Sequence, residues 1–210
     1  MREWTCAAIS ERRHRLRLLN AAVFLACLAP LAALFARGLG VGGATLGANP
    51  VEFVLHALGK WGLNFLLLTL AVSPLRAIIG RAWPLGLRRM LGLFAFFYAT
   101  LHLLCWLVLD QGLYLQGIAA DIAKRPFITI GVLAYLLLVP LAVTSTDRML
   151  RRLGRRWKTL HRLVYAVVLL GVWHYYWLVK ADVREPLFYL AMALLLLGWR
   201  VRTRLRRTCP

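Results

Sequence analysis

Hydrophobic and polar positions in this chain fall into long blocks rather than the short alternation of a soluble domain. Residues 18–36 are almost wholly apolar, and four later stretches read the same way: about 90–109, 127–143, 157–179 and 187–199. A sixth block opens at Asn49, a side chain suited to capping a helix, with Pro50 in its first turn. It turns strongly apolar from Trp61 and closes around residues 74–79. A hydrocarbon layer of about 30 Å needs roughly twenty apolar residues of helix, so each block is a candidate membrane crossing. The pattern predicts an all-α integral membrane bundle of six transmembrane helices. Residues 1–17 and 200–210 form basic tails around a transmembrane domain at 18–199.

The first block, preceded by Arg12, Arg13, Arg15 and Arg17, has the outline of a secretory signal. It is long for the apolar part of one and lacks a small-residue cleavage site, so it is read as a retained helix. Residues 110–126 form a connection with weak helical character at GIAADIAK.

Charge fixes the orientation. The chain has 210 residues, is 61% hydrophobic and carries 27 Lys and Arg against 8 Asp and Glu, a net charge of +19. In a soluble protein that excess would point to nucleic acid, but here the basic residues cluster between apolar blocks. With six spans, one side holds 21 of the basic residues; the other holds Arg37, Lys60, Lys124, Arg125, Lys180 and Arg184. The positive-inside rule places both termini in the cytoplasm. Trp173, Tyr175, Tyr176 and Trp177 then sit toward the outer interface, where amphipathic rings belong. The arginine clusters act mainly as topology signals and also attract anionic lipid headgroups. Of four cysteines, Cys27 and Cys105 lie in apolar runs as packing residues, and no metal-binding or disulfide spacing appears.

The candidate chemistry lies in histidines inside the blocks. Intramembrane ionisable residues are costly and mark functional sites. Neutral imidazole in a helical bundle points to haem iron. His102 lies ~18 Å and His174 ~22 Å from the inner ends of their helices at 1.5 Å per residue. This common depth in the outer half suits one haem bridged by both. His161, thirteen residues before His174, lies ~20 Å away along the axis and ~140° round a straight helix. The position matching it on the third helix is Arg89, so it lacks a histidine partner. A lone histidine in an apolar helix is more often a packed polar residue, and only matched depth raises His102 and His174 above that reading. His161 is equally an interfacial residue. His56 shares a helix face with Lys60, which suggests a surface pair, with a haem propionate contact or substitute ligation as the functional reading. His14 lies in the basic tail, exposed to solvent.

The segment TSTDRMLRRLGRRWKTLHRLVYAVVLLGVWHYYW, with DIAKRPFITIG and NPVEFVLHALGKWGLNFLLLTL before it, resembles the MsrQ (YedZ) family in the ferric-reductase-like transmembrane group. The resemblance covers about residues 15–200. It implies a multi-pass protein of the bacterial inner membrane that binds b-type haem, one or two, with flavin mononucleotide (FMN) as an associated cofactor. It also implies a partner, MsrP, a periplasmic molybdopterin enzyme that reduces methionine sulfoxide in proteins. The family's histidines map onto His102, His161 and His174 without fixing which pair ligates, and no flavin-contacting residue can be assigned.

No G-x-G-x-x-G or phosphate-binding loop follows the last apolar block. The expected electron donor is therefore membrane quinol or a separate soluble flavin reductase. Nor does any Ser/His/Asp or Cys/His constellation suggest bond-making chemistry. The chain reads as an electron-transfer subunit whose partner reduces the substrate. The alternative is a stand-alone quinol- or metal-reducing b-type cytochrome, disfavoured by the missing partner of His161. A haem-free transporter would leave the intramembrane histidines unexplained and would want paired discontinuous helices.

Overall fold

A computed structural model of the chain describes residues 2–43, 45–179 and 182–208. Lys180, counted above on the outer side, and Cys209 lie outside the described residues. Among the described residues the regular elements are all helical. They are α1 (Arg2–Gly38), a 3₁₀ turn (Val41–Gly43), α2 (Pro50–Ile79), α3 (Pro84–Cys105), α4 (Leu115–Lys124), α5 (Pro126–Val143), α6 (Asp147–Leu153), α7 (Arg155–Leu160), α8 (Leu163–Leu178) and α9 (Arg184–Thr208). A five-residue π-helical segment, Trp106–Asp110, extends α3.

The start of α2 forms as its sequence predicts. Asn49 Oδ1 accepts from the Glu52 amide at 3.3 Å, Asn49 Nδ2 donates to the Glu52 carboxylate at 2.9 Å, and Pro50 takes the first turn. Elsewhere the boundaries move. The basic segment before residue 18 is helical, the first part of the 37-residue α1. The 110–126 connection contains the ten-residue α4. The fifth block is not one helix: it breaks at His161–Arg162, between α7 and α8. There Trp157 Nε1 donates to the Thr144 carbonyl at 2.9 Å, and His161 Nε2 lies 3.0 Å from Thr144 Oγ1. The turn is thus tied to the end of α5.

By length and hydropathy, four helical stretches are able to cross a membrane: His14–Gly38, Pro50–Ile79, Pro84–Asp110 and Pro126–Val143. The other two predicted spans correspond to α8, with 16 residues, and to the apolar first half of α9. Large apolar side chains stand exposed along the bundle, among them Phe24, Leu25, Phe35, Leu136, Phe188 and Leu195. Such a continuous apolar exterior suits a hydrocarbon surround.

Two helix pairs dominate the packing, α2 with α3 and α5 with α8; α1 lies on α3 and α2, and α9 on α8 and α2. Small residues set the first contact. A β-carbon on Gly62 would come 3.5 Å from the Ala99 amide and 3.7 Å from the Ala95 carbonyl. Gly62 thus faces an Ala-xxx-Ala stripe that lets the backbones approach, as small residues do between membrane helices. The buried Tyr98 holds α1 in place. Its hydroxyl donates to the Cys27 carbonyl at 2.8 Å and accepts from the Leu31 amide at 3.2 Å. It is therefore inserted into the α1 hydrogen-bond ladder beside Pro30, where a side chain can enter and bend a helix.

Candidate functional site

α3 and α8 carry His102 and His174 to a common centre, their ring centroids 6.1 Å apart and their planes 81° apart. Each ring is held by the partner helix of its own pair. His102 Nδ1 lies 2.9 Å from the Leu55 carbonyl on α2, and His174 Nδ1 lies 2.7 Å from the Phe127 carbonyl on α5. A carbonyl only accepts, so each Nδ1 carries the proton and each Nε2 keeps its lone pair for a ligand.

The two halves repeat each other. Both histidines stand 47 residues after the carbonyl that holds them. One turn past each carbonyl is a glycine, Gly59 on α2 and Gly131 on α5. A β-carbon on Gly59 would lie 3.1 Å from both Nδ1 and Cε1 of His102; on Gly131 it would lie 2.8 Å from His174 Nδ1 and 2.9 Å from its Cε1. Each imidazole therefore lies in a cradle that exists because a side chain is missing. Sequence reasoning missed these four positions. The available signal was the recurrence of glycine 43 residues ahead of histidine in both halves.

A cavity of about 290 Å³ lies between the pairs, with both histidines in its wall. Leu66, Leu138 and Val167 line it at one level; His56, Lys60, Asp110, Arg125 and Tyr175 gather at the other. The π-helical segment contributes Trp106 and Asp110; such segments recur at functional sites. Lys60 does not pair with His56 but with Glu185 of α9, at 2.7 and 2.8 Å from its two oxygens, and Tyr175 donates to the same carboxylate at 2.5 Å. These donors, Lys60 foremost, hold Glu185 below the usual carboxylate range. Arg125 pairs with Asp121 at 3.4 Å.

The residues fit a haem. Metal–imidazole bonds are about 2.0–2.1 Å long, so two rings ligating one iron from opposite sides stand with centres roughly 6 Å apart. Each ring keeps Nε2 for the metal while Nδ1 is anchored, the usual arrangement of a ligating histidine. Among the described residues no three His, Cys, Asp or Glu side chains cluster to hold a metal ion. The imidazole pair instead suits an iron that brings its own equatorial ligands.

His161 is placed differently. Its ring stacks on Trp157 with centroids 3.8 Å apart, away from the cavity. Thr144 Oγ1 gives its proton to the Pro140 carbonyl at 2.6 Å, so it accepts from His161 Nε2, whose lone-pair role is thereby spent. His56 lines the cavity, and His14 is exposed on α1. Arg89, level with His161 by sequence, pairs with Asp147 at 2.6 Å.

The family described as the ferric reductase like transmembrane component matches residues 57–172 of this helical bundle. The chain belongs to it. Within it the chain belongs with the MsrQ proteins. It is 53% identical over 199 residues to the protein-methionine-sulfoxide reductase heme-binding subunit MsrQ of Rhodospirillum rubrum, covering 94% of each chain. It is 52% identical over 199 residues to that of Azospira oryzae, covering 94% of this chain and 84% of the relative. Against that of Xanthomonas oryzae pv. oryzae it is 48% identical over 198 residues, covering 90% and 91%.

Proposed function

We propose that this protein is the haem-binding electron-transfer subunit of a methionine sulfoxide reductase system in the bacterial inner membrane. It passes electrons to a periplasmic molybdopterin partner, MsrP, that repairs oxidised proteins. The observation that carries this reading is the duplicated carbonyl–glycine–histidine constellation around His102 and His174. Haem b, when bound, supplies the one-electron couple. The chain's residues do the rest. Leu55 and Phe127 fix both imidazoles in the tautomer that leaves Nε2 basic. Leu66, Leu138 and Val167 exclude water, which favours the less charged state of an iron centre and sets its potential. Lys60, Arg125 and His56 at the polar end of the cavity are placed to meet the propionate carboxylates.

In this reading α8 and α9 complete six spans, both termini are cytoplasmic, and His102 and His174 lie in the outer half of the membrane. α8 is ~24 Å long at 1.5 Å per residue, shorter than the hydrocarbon layer. It crosses with local thinning and with Arg162 reaching to the inner headgroups. Electrons enter from quinol or a soluble flavin reductase at the basic inner face, with FMN as an associated cofactor.

The test is haem content. His102→Ala and His174→Ala should each abolish or strongly reduce the low-spin b-type spectrum while the protein still inserts; His161→Ala should retain it. Full low-spin haem in both of the first two variants would refute the assignment.

A further inference from the structure

The end of the bundle away from His102 holds a buried cation that the haem reading does not use. Arg200 of α9 is 8% exposed. Pro74 explains how it is seated. Lacking an amide hydrogen, Pro74 leaves the Leu70 carbonyl without its helical partner. Arg200 Nη2 fills that vacancy at 2.9 Å and also donates to Ser73 Oγ at 3.1 Å. The guanidinium carbon stands 5.2 Å from the centre of the Tyr165 ring.

Two of the three guanidinium nitrogens are left over. Nε and Nη1 are both buried and make no hydrogen bond. Among the described residues, none of the ion pairs involves Arg200. Arg88, half-buried near the start of α3 and of the same sign, lies within electrostatic reach of Arg200 and Tyr165. Two neighbouring arginines, one with unspent buried donors, form an arrangement that is costly alone and stable around an anion. Carbonyl and hydroxyl dipoles compensate a charge only in part. A phosphate offers the charge and several acceptor oxygens, and guanidinium groups match its geometry.

We propose that Arg200, with Arg88 beside it, binds a phosphate group, supplied by a membrane phospholipid headgroup or by FMN. The site lies at the level of Leu70 and Ser73, in the third and second turns from the C-terminal end of α2. It stands independently of the histidine pair; only its assignment to the cytoplasmic side rests on the proposed orientation.

The test is native mass spectrometry of the full haem-loaded chain in a mild detergent, with FMN, riboflavin and phosphatidylglycerol as probes. Wild type should hold one phosphate-bearing adduct. Arg200→Gln should weaken it about tenfold or more, the loss expected for a charge-assisted contact, and Arg88→Gln should weaken it less. Binding of FMN but not riboflavin identifies the flavin source; binding of phosphatidylglycerol but not FMN identifies the lipid. Should Arg200→Gln fail to fold, Arg200→Lys and Arg88→Gln carry the test, and wild-type affinity in both overturns the proposal. It is also overturned if wild type holds no phosphate-bearing molecule, or if riboflavin binds as well as FMN and no lipid binds. Loss of haem from Arg200→Gln without any phosphate adduct in wild type would make the anion a propionate and overturn it too. The haem spectrum of the same samples reports separately on His102 and His174.

Discussion

Gly131 and His174 are packed so closely that a β-carbon on the glycine would stand 2.8 Å from the imidazole Nδ1. The helix backbone and the ring occupy the space that any other residue needs. Gly131→Ala must push His174 off the Phe127 carbonyl, and overpacking of this kind costs about 1–3 kcal/mol. The expected outcome is haem loss or a shift from low to high spin, read in the absorption spectrum. Gly59→Ala, where the approach is 3.1 Å, should give a milder version of the same change.

Tyr98 makes a stability prediction separate from the haem. Its hydroxyl bridges Leu31 and Cys27 across the α1–α3 contact. In Tyr98→Phe the Leu31 amide and the Cys27 carbonyl can pair directly, so the net loss should be modest, about 1 kcal/mol. Thermal unfolding in detergent should show a lower midpoint with an unchanged haem spectrum. A wild-type midpoint would mean that the inserted hydroxyl does not anchor α1.

Glu185 gives the fold a pH dependence at its polar end. Lys60 and Tyr175 hold its folded pKa below the unfolded value, which is about 4.3. A depressed carboxylate contributes stability that is fully present above the unfolded pKa and is lost as pH falls through the folded one. Glu185→Gln should therefore be less stable than wild type at pH 7. The gap should narrow as pH falls below the unfolded value and close once the folded wild-type carboxylate is protonated too. Melting curves of both proteins across that window are the check; a gap independent of pH would remove the ionic contribution.

Tyr114 and Leu115, 60% and 78% exposed, stand between the π-helical segment, whose Asp110 lines the polar end of the cavity, and the body of α4. The charges around them are largely matched, Lys60 with Glu185 and Arg125 with Asp121. Steering of a partner there should be weak, and docking should rest on shape in a small, transient interface below about 1,200 Å². Tyr114→Ser and Leu115→Ser should slow reoxidation of reduced haem by the proposed partner, oxidised MsrP, while leaving the spectrum and reduction by the donor unchanged. Wild-type reoxidation rates in both would place the exit elsewhere.

How much could be read in advance follows from the range of each interaction. The sequence by itself determined the apolar blocks, the Asn49–Pro50 start of α2 and the coincidence in depth of His102 and His174, because those depend on hydropathy, local capping and helix rise. It put His161 ~140° round from His174 but could not show the break that seats it on Trp157, since that break depends on Thr144 and Trp157 meeting across two elements. Nor could it show that Lys60 reaches Glu185, 125 residues away, rather than its helical neighbour His56. The role of Gly59 and Gly131 emerges only when the neighbouring helix supplies the ring that needs their space. Arg200 read as one of a closing basic cluster. Only the tertiary structure set it against the carbonyl freed by Pro74, because a buried donor is recognised by what surrounds it and not by its neighbours in the chain.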